Sequence, residues 1–342
     1  MVPGRMMALI FDIILYMQLN LLEPMNVLKV RSLALAMFCA CLSVPVVGQL
    51  RQQSFLSEKW DFRLDRDGAE DVWEQVDVPH TWNAKDGTSP DYYRGDGTYR
   101  YTLSISPAMM KKRIFLRFEA ASQKAEVKVN GREVGEHVGG FNAFCFEITP
   151  YVHAGENLLE VAVSNRKELN IAPLEGDFTV FGGIYRPVSL LLLPKTCITP
   201  LDYASSGVYV SQQVNERRAD LSVVTKVDNG LKRVKELSVK ADVFDAAGKL
   251  VATATTSQAT EGQARLDFTN RLTVDNPMLW DGRKSPYLYR VFVELKRGKE
   301  VLDTLSQYVG LRSFRVDAEK GFILNGKPYK IKGVNRHQDR PD

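Results

Sequence analysis

The 342-residue sequence is sparing with residues that build metal centres: four cysteines and four histidines, none at zinc-ligand spacing. No Asn-X-Ser/Thr triplet occurs anywhere, which excludes N-glycans. An excess of one charge is also missing. Lysine and arginine total 45 against 41 acidic residues, a net charge of +4. With no long basic run, that balance gives no footing for a nucleic-acid partner and reads as a mixed solvated surface. Sustained helical periodicity is absent from about Trp60 onward, which turns the reading towards strands.

The long apolar runs sit at the start. Met7–Leu22 is apolar but broken by Asp12, and it has no positive lead-in. The stretch from Met25 is better organised. Lys29 and Arg31 form a basic head, Ser32–Val44 is apolar, and Val46 and Gly48 supply small residues before Gln49. That is the pattern of a secretory signal peptide over 25–48, which makes 1–24 an over-extended start. It predicts a periplasmic or secreted mature chain with no stable membrane span. An N-terminal membrane anchor is the rival reading. Cys39 and Cys41 leave with the signal. Cys145 and Cys197 stay, with their pairing open.

From Trp60 the chain alternates apolar and polar residues in short runs separated by turn residues. "TYRYTLSI" (Thr98–Ile105) and "RIFLRFEA" (Arg113–Ala120) are examples. Ala125–His137 is two such runs joined by Asn130-Gly131, a pair suited to a type I′ turn. This style predicts an all-β sandwich or jelly roll. A second set from Gly207 to Val316, roughly seven strands long, fits an immunoglobulin-like sandwich. A hairpin around Asn325-Gly326 follows. Lys330–Val334 then reads as one more buried strand, with Ile331 and Val334 as its apolar residues.

Four loop stretches are rich in Trp, His, Arg and Asp: Val78–Gly87, Asp91–Leu103, Glu175–Leu190 and Asn276–Leu295. Each also has a plain structural reading. His80 can be a turn residue. Arg94 and Arg100 can pair with Asp91 and Asp96. Gly182-Gly183 can relieve a bend, and Trp280 beside Pro277 can pack a corner.

In order, "VPHTWN", "YYRGDGTYR", "FGGIYRPVSLL", "NPMLWDGRKSPYLY", "VGLRSF" and "FILNGKPYKIKGVNRHQD" resemble the family 2 glycoside hydrolases over Trp60 to Asp342. That group includes β-galactosidases, β-glucuronidases and β-mannosidases. The resemblance implies a jelly-roll sugar-binding domain at 50–197, an immunoglobulin-like sandwich at 198–314, and the start of a (β/α)8 barrel at 315–342. Active sites of such barrels lie at the C-terminal ends of the strands. By resemblance, Asp177, His337, Asn83 and Asp339 contact the sugar, while Asn335 and Arg336 orient the rim. A carboxylate at Asp177 can accept bonds from two adjacent hydroxyls, and in the galactosidases it can ligate sodium. Magnesium ligands of that group belong to the barrel beyond this chain, and the complete enzyme can form homo-oligomers.

The implied reaction is retaining hydrolysis of a terminal β-galactoside by two glutamates about 5–5.5 Å apart. In the family both come from later barrel strands, and no glutamate present matches them. The expectation is therefore an N-terminal portion that is inactive alone. β-Glucuronidase or β-mannosidase specificity stays open, as does a non-catalytic carbohydrate-binding role.

Overall fold

The computed structural model describes residues 50–335, apart from 67–71, 88, 90, 175–177, 234 and 261. The regular structure in this part is strand, with one 3-10 turn at Met109–Lys111, so the all-β expectation is met.

The first sandwich begins with β1 (Gln52–Phe55), β2 (Trp60–Asp65), β3 (Glu74–Val76), β4 (Asp96–Ile105) and β5 (Arg113–Phe118). It continues with β6 (Lys124–Val129), β7 (Arg132–Val138), β8 (Phe144–Glu147), β9 (Gly155–Ser164) and β10 (Val188–Leu193). One sheet runs β1-β10-β5-β8 and the other β3-β2-β4-β9-β6-β7. Alternation sets the faces. Val127 and Val129 of β6 and Leu159, Val161 and Val163 of β9 point into a core shared with Trp60, Tyr99, Leu116 and Leu190. Each aliphatic side chain buried in this way contributes about 1.5–3 kcal/mol. Asn130 and Gly131 join β6 to β7 at φ +52° and +74°, the positive-φ pair that a type I′ turn needs.

β10 breaks the alternation because both its faces are covered. Leu190 and Leu192 face the main core, while Leu191 and Leu193 pack with Phe115 and Cys197 in a second cluster. A continuous apolar run in sequence marks such a strand.

The second sandwich contains β11 (Cys197–Ile198), β12 (Val208–Val214), β13 (Arg218–Asp228) and β14 (Lys235–Phe244). It also contains β15 (Leu250–Thr260), β16 (Arg265–Asp275), β17 (Tyr289–Arg297) and β18 (Glu300–Val309). β13 pairs with β11, β12 and β16, and the facing sheet runs β15-β14-β17-β18. Phe268, Leu221, Val239 and Val293 are in its core. β11 takes Cys197 into this sheet, although the sequence reading ends the first domain there.

Buried charge joins the two sandwiches. Arg51 donates from Nε and Nη2 to the two oxygens of Asp303, each at 2.9 Å, and Asp303 also accepts the Ile198 N–H at 2.8 Å. Asp303 is fully buried. Arg113 donates to Glu147 at 2.6 Å and to Asp228 at 3.3 Å. Asp228 also accepts from the Thr199 hydroxyl at 2.8 Å. Cys145 and Cys197 are both free. Burial pushes both thiols up to about 12, so neither is a ready nucleophile at neutral pH.

The last regular element is a hairpin sheet of β19 (Phe314–Asp317), β20 (Gly321–Leu324) and β21 (Lys327–Pro328). Asn325 and Gly326 turn it at φ +48° and +78°. Asn325 also ties it to the second sandwich: its Nδ2 donates to the Trp280 carbonyl at 3.0 Å, and its Oδ1 accepts the Ser313 N–H at 3.0 Å. The buried strand expected over Lys330–Val334 is not formed. Ile331 is 65% and Val334 94% exposed. A strand holds its backbone through neighbours, and none of the described residues pairs with this segment.

Asp303→Ala should lower stability by about 3 kcal/mol, because it strands the Arg51 guanidinium and the Ile198 amide. Denaturant unfolding of the variant against the parent chain checks this.

Candidate functional site

Two of the loops singled out in sequence meet in the first sandwich: 77–95, between β3 and β4, and 165–187, between β9 and β10. Neither loop has a sheet ladder to satisfy its peptide groups, so side chains do that work. Asn83 is fully buried. Its Nδ2 donates to Asp86 Oδ1 at 3.0 Å and to the Tyr93 carbonyl at 2.9 Å. Its Oδ1 accepts the Gly182 N–H at 2.8 Å and Asn165 Nδ2 at 3.4 Å. Asn165, equally buried, donates to the Val180 carbonyl at 2.8 Å and accepts the Gly95 N–H at 2.8 Å. Both protons and both lone pairs of Asn83 are thus used inside the protein. The expected sugar contact by Asn83 is therefore corrected: the residue shapes the loops and has no free group for a hydroxyl.

Trp82 explains the glycine pair. A Cβ on Gly182 would lie 2.0 Å from Trp82 Cζ2. Gly183 has φ +122°, and a Cβ there would meet the His80 carbonyl and the Tyr99 hydroxyl, each at 2.6 Å. The indole and the backbone fit only because both side chains are absent.

His80 closes this frame. Its N–H donates to the Ile184 carbonyl at 2.8 Å, and its Nδ1 lies 2.8 Å from the Tyr99 hydroxyl. That hydroxyl accepts the Ile184 N–H at 3.4 Å. The network is consistent when Tyr99 donates to a neutral imidazole. Burial lowers the His80 pKa to about 4 and pushes the Tyr99 phenol far up, so both are neutral at pH 7.

Arg94 holds one side of the second loop. It donates to the Asn165 carbonyl at 2.8 Å, the Leu174 carbonyl at 3.3 Å and Gln123 Oε1 at 3.1 Å. The other side is held where the Val180 N–H donates to the Tyr92 hydroxyl at 3.0 Å and the Thr179 hydroxyl donates to the Gly87 carbonyl. The plain reading of Arg94 and Arg100 as surface partners of Asp91 and Asp96 does not describe them. Arg100 pairs with Glu160 at 2.9 Å and packs on Trp73, while Asp96 takes Arg166 at 2.7 Å. Asn165 and Gln123 lie outside the stretches singled out in sequence. The available signal was Asn165 at the end of an apolar strand.

Asp177 lies outside the described residues, as do Arg336, His337 and Asp339. Asn335 is described and exposed. Among the described residues, no group of three or more His, Cys, Asp or Glu could hold a metal ion. The described carboxylates that shift do so in the wrong direction for a general acid. Arg117 lowers Glu119. At Glu147, burial pulls upward but Arg113 wins and lowers it. A catalytic acid needs the reverse.

Similarity to known proteins follows this architecture. Residues 53–194 match the model for the sugar binding domain of glycosyl hydrolases family 2. Residues 205–312 match a second glycosyl hydrolases family 2 model. The chain therefore belongs to glycosyl hydrolase family 2, with a jelly-roll domain followed by an immunoglobulin-like one. It is 39% identical over 316 residues to a β-glucuronidase of Bacteroides fragilis, covering 91% of this chain and 45% of that protein. It is 33% identical over 319 residues to a β-galactosidase of Bacteroides ovatus, covering 88% of this chain and 36% of that one. The crystal structure of a Bacteroides uniformis β-glucuronidase superposes with a TM-score of 0.78 at 36% identity, over 84% of this chain and 36% of that one. The chain thus spans less than half the length of these relatives. Among the described residues, no helix is long and apolar enough to cross a membrane.

The folded His80 ring is held neutral, with its pKa at about 4 against 6.5 when unfolded. Its contribution is complete above pH 6.5 and is lost as pH falls from 6.5 towards 4, roughly 2 kcal/mol after allowing for solvent screening. Melting temperatures across that window should fall in the parent chain. They should fall less in His80→Asn, which keeps an acceptor for Tyr99 without titrating.

Proposed function

We propose that this chain is the substrate-shaping, non-catalytic portion of a retaining exo-acting β-glycosidase. The observation that carries the reading is the Asn83–Asn165–Arg94 frame, which ties Leu174 and Val180 within a domain matched to the family's sugar-binding model. On this reading Asp177, His337 and Asp339 contact the terminal sugar, and Asn335 and Arg336 orient the rim. Asp177 accepts hydroxyl protons through charge-assisted bonds, which discriminate between sugar epimers. The two catalytic carboxylates, about 5–5.5 Å apart in a retaining enzyme, come from outside this chain.

The substrate we favour is a terminal β-galactoside, on the chemistry of Asp177. A β-glucuronide is the second reading, supported by the relative at 39% identity. The purified chain should cleave neither 4-nitrophenyl β-galactoside nor 4-nitrophenyl β-glucuronide above background, and turnover of either would overturn the non-catalytic assignment. In a full-length enzyme bearing this chain as its first part, the faster of the two substrates identifies the sugar. Asp177→Asn should lower kcat/KM on that substrate by about 10- to 100-fold; an unchanged value removes Asp177 from the site.

We also infer export, from the basic head and apolar core of segment 25–48. The intact mass of the exported protein should correspond to a chain beginning at Gln49. A mass retaining 25–48 would favour the anchor.

A further inference from the structure

We propose that Gln212, Trp280 and Asn325 are positioning residues. They fasten the connection 310–313, so that the β19–β21 hairpin and the second sandwich form one rigid mount for the segment that follows Tyr329. The assignment deepens the reading of Asn335 as part of the sugar rim and rests on it. It also gives a task to the loop 276–288, which belongs to a stretch singled out in sequence and lies in the second sandwich.

Residues 310–313 join β18 to β19. Short connections between elements are the usual place for a hinge, because they absorb changes in φ and ψ. Here the connection is tied from three directions. β12 supplies Gln212, whose Nε2 donates to the Gly310 carbonyl at 3.3 Å and whose Oε1 accepts the Arg312 N–H at 3.1 Å. The loop between β16 and β17 supplies Trp280, whose N–H donates to the Leu311 carbonyl at 2.9 Å. The turn between β20 and β21 supplies Asn325. Its Oδ1 accepts the Ser313 N–H at 3.0 Å, and its own N–H donates to the Ser313 carbonyl at 2.8 Å.

Side chains lock the same place. Leu311 is fully buried in the second core. The Arg312 guanidinium lies 5.0 Å from the centre of the Trp280 ring, and a Cβ on Gly310 would stand 2.9 Å from Trp280 Cβ. On the hairpin, Ile323 and Leu324 are buried, and Asn325 Nδ2 donates to the Trp280 carbonyl at 3.0 Å. Phe322 stacks on Phe314 and meets Tyr329 edge-on, with ring centres 5.9 and 6.4 Å apart. The Tyr329 N–H donates to the Phe322 carbonyl at 2.8 Å. Turning the hairpin against the sandwich breaks several of these bonds together, so the unit opens cooperatively or stays shut. A joint of that kind transmits orientation. Misplacement by about 1 Å at a reacting centre can cost on the order of 100-fold in rate, which gives a fixed mount its value.

Hydrogen exchange of the purified chain tests the mount by itself. The amides of Arg312, Ser313 and Asn325 should exchange together, more than about a hundredfold slower than in a free peptide. Asn325→Ala and Gly310→Ala reach the joint from opposite sides, and Gln212→Ala removes the ties from β12. Each should release these amides while both sandwich cores stay protected. Fast exchange in the parent chain, or release only together with the cores, would overturn the mount. In a full-length enzyme bearing this chain as its first part, the same variants should lower kcat by about tenfold with KM within about twofold, at temperatures where they are fully folded. Trp280→Phe keeps the backbone ties and a ring beneath Arg312, so its kcat should stay within about twofold. Tyr308→Ala, at an exposed position of β18, should change neither constant. Released amides with an unchanged kcat would remove the positioning role. A parent enzyme that turns over neither galactoside nor glucuronide would overturn the sugar-rim reading and the positioning role with it, while the exchange rates still decide the mount.

Discussion

The loop architecture depends on one contact between two buried side-chain amides, Asn83 and Asn165. Irregular backbone that leaves the surface loses water and has no ladder to replace it. A primary amide offers two donors and an acceptor with two lone pairs, so it can satisfy several such groups at once. Asn83 serves Tyr93 and Gly182, and Asn165 serves Gly95 and Val180. The arrangement leaves no room at Gly182, where the Trp82 indole fills the space a side chain would take. Trp82 and Gly182 pack beside this junction, and the His80–Tyr99–Ile184 bonds hold the same two loops independently.

Buried ions play the matching role between the sandwiches. Arg51 and Arg113 reach from the first domain to Asp303 and Asp228 of the second. Such pairs add little net stability over well-packed apolar residues, because each ion must leave water. Their value is directional, since a bidentate guanidinium fixes both distance and angle. Asp303 also accepts from Ile198 of β11, so the strand that enters the second sandwich is held by the same carboxylate.

The strands were legible because their period is local. Thr98–Ile105, Arg113–Ala120 and the Ala125–His137 hairpin read correctly to within a few residues, and the two Asn-Gly turns adopt the positive φ their chemistry favours. Family membership was legible from six short stretches in order. The roles of individual polar residues were less so. Asn83 looked like a ligand contact, and Arg94 like half of a surface ion pair. Both proved to be internal ties, because their partners lie 82 and 71 positions away. Lys330–Val334 shows the same limit in reverse: its composition is that of a strand, yet a strand also requires a neighbour, and in the described residues it has none.

By itself, the sequence determined alternation, turn chemistry and the all-β class, which depend on residues a few positions apart. The tertiary structure decided which polar side chains are spent holding loops. That division depends on satisfying every buried donor and acceptor across distant segments. It joins Asn83 to Asn165 across 82 positions, a link no local pattern encodes.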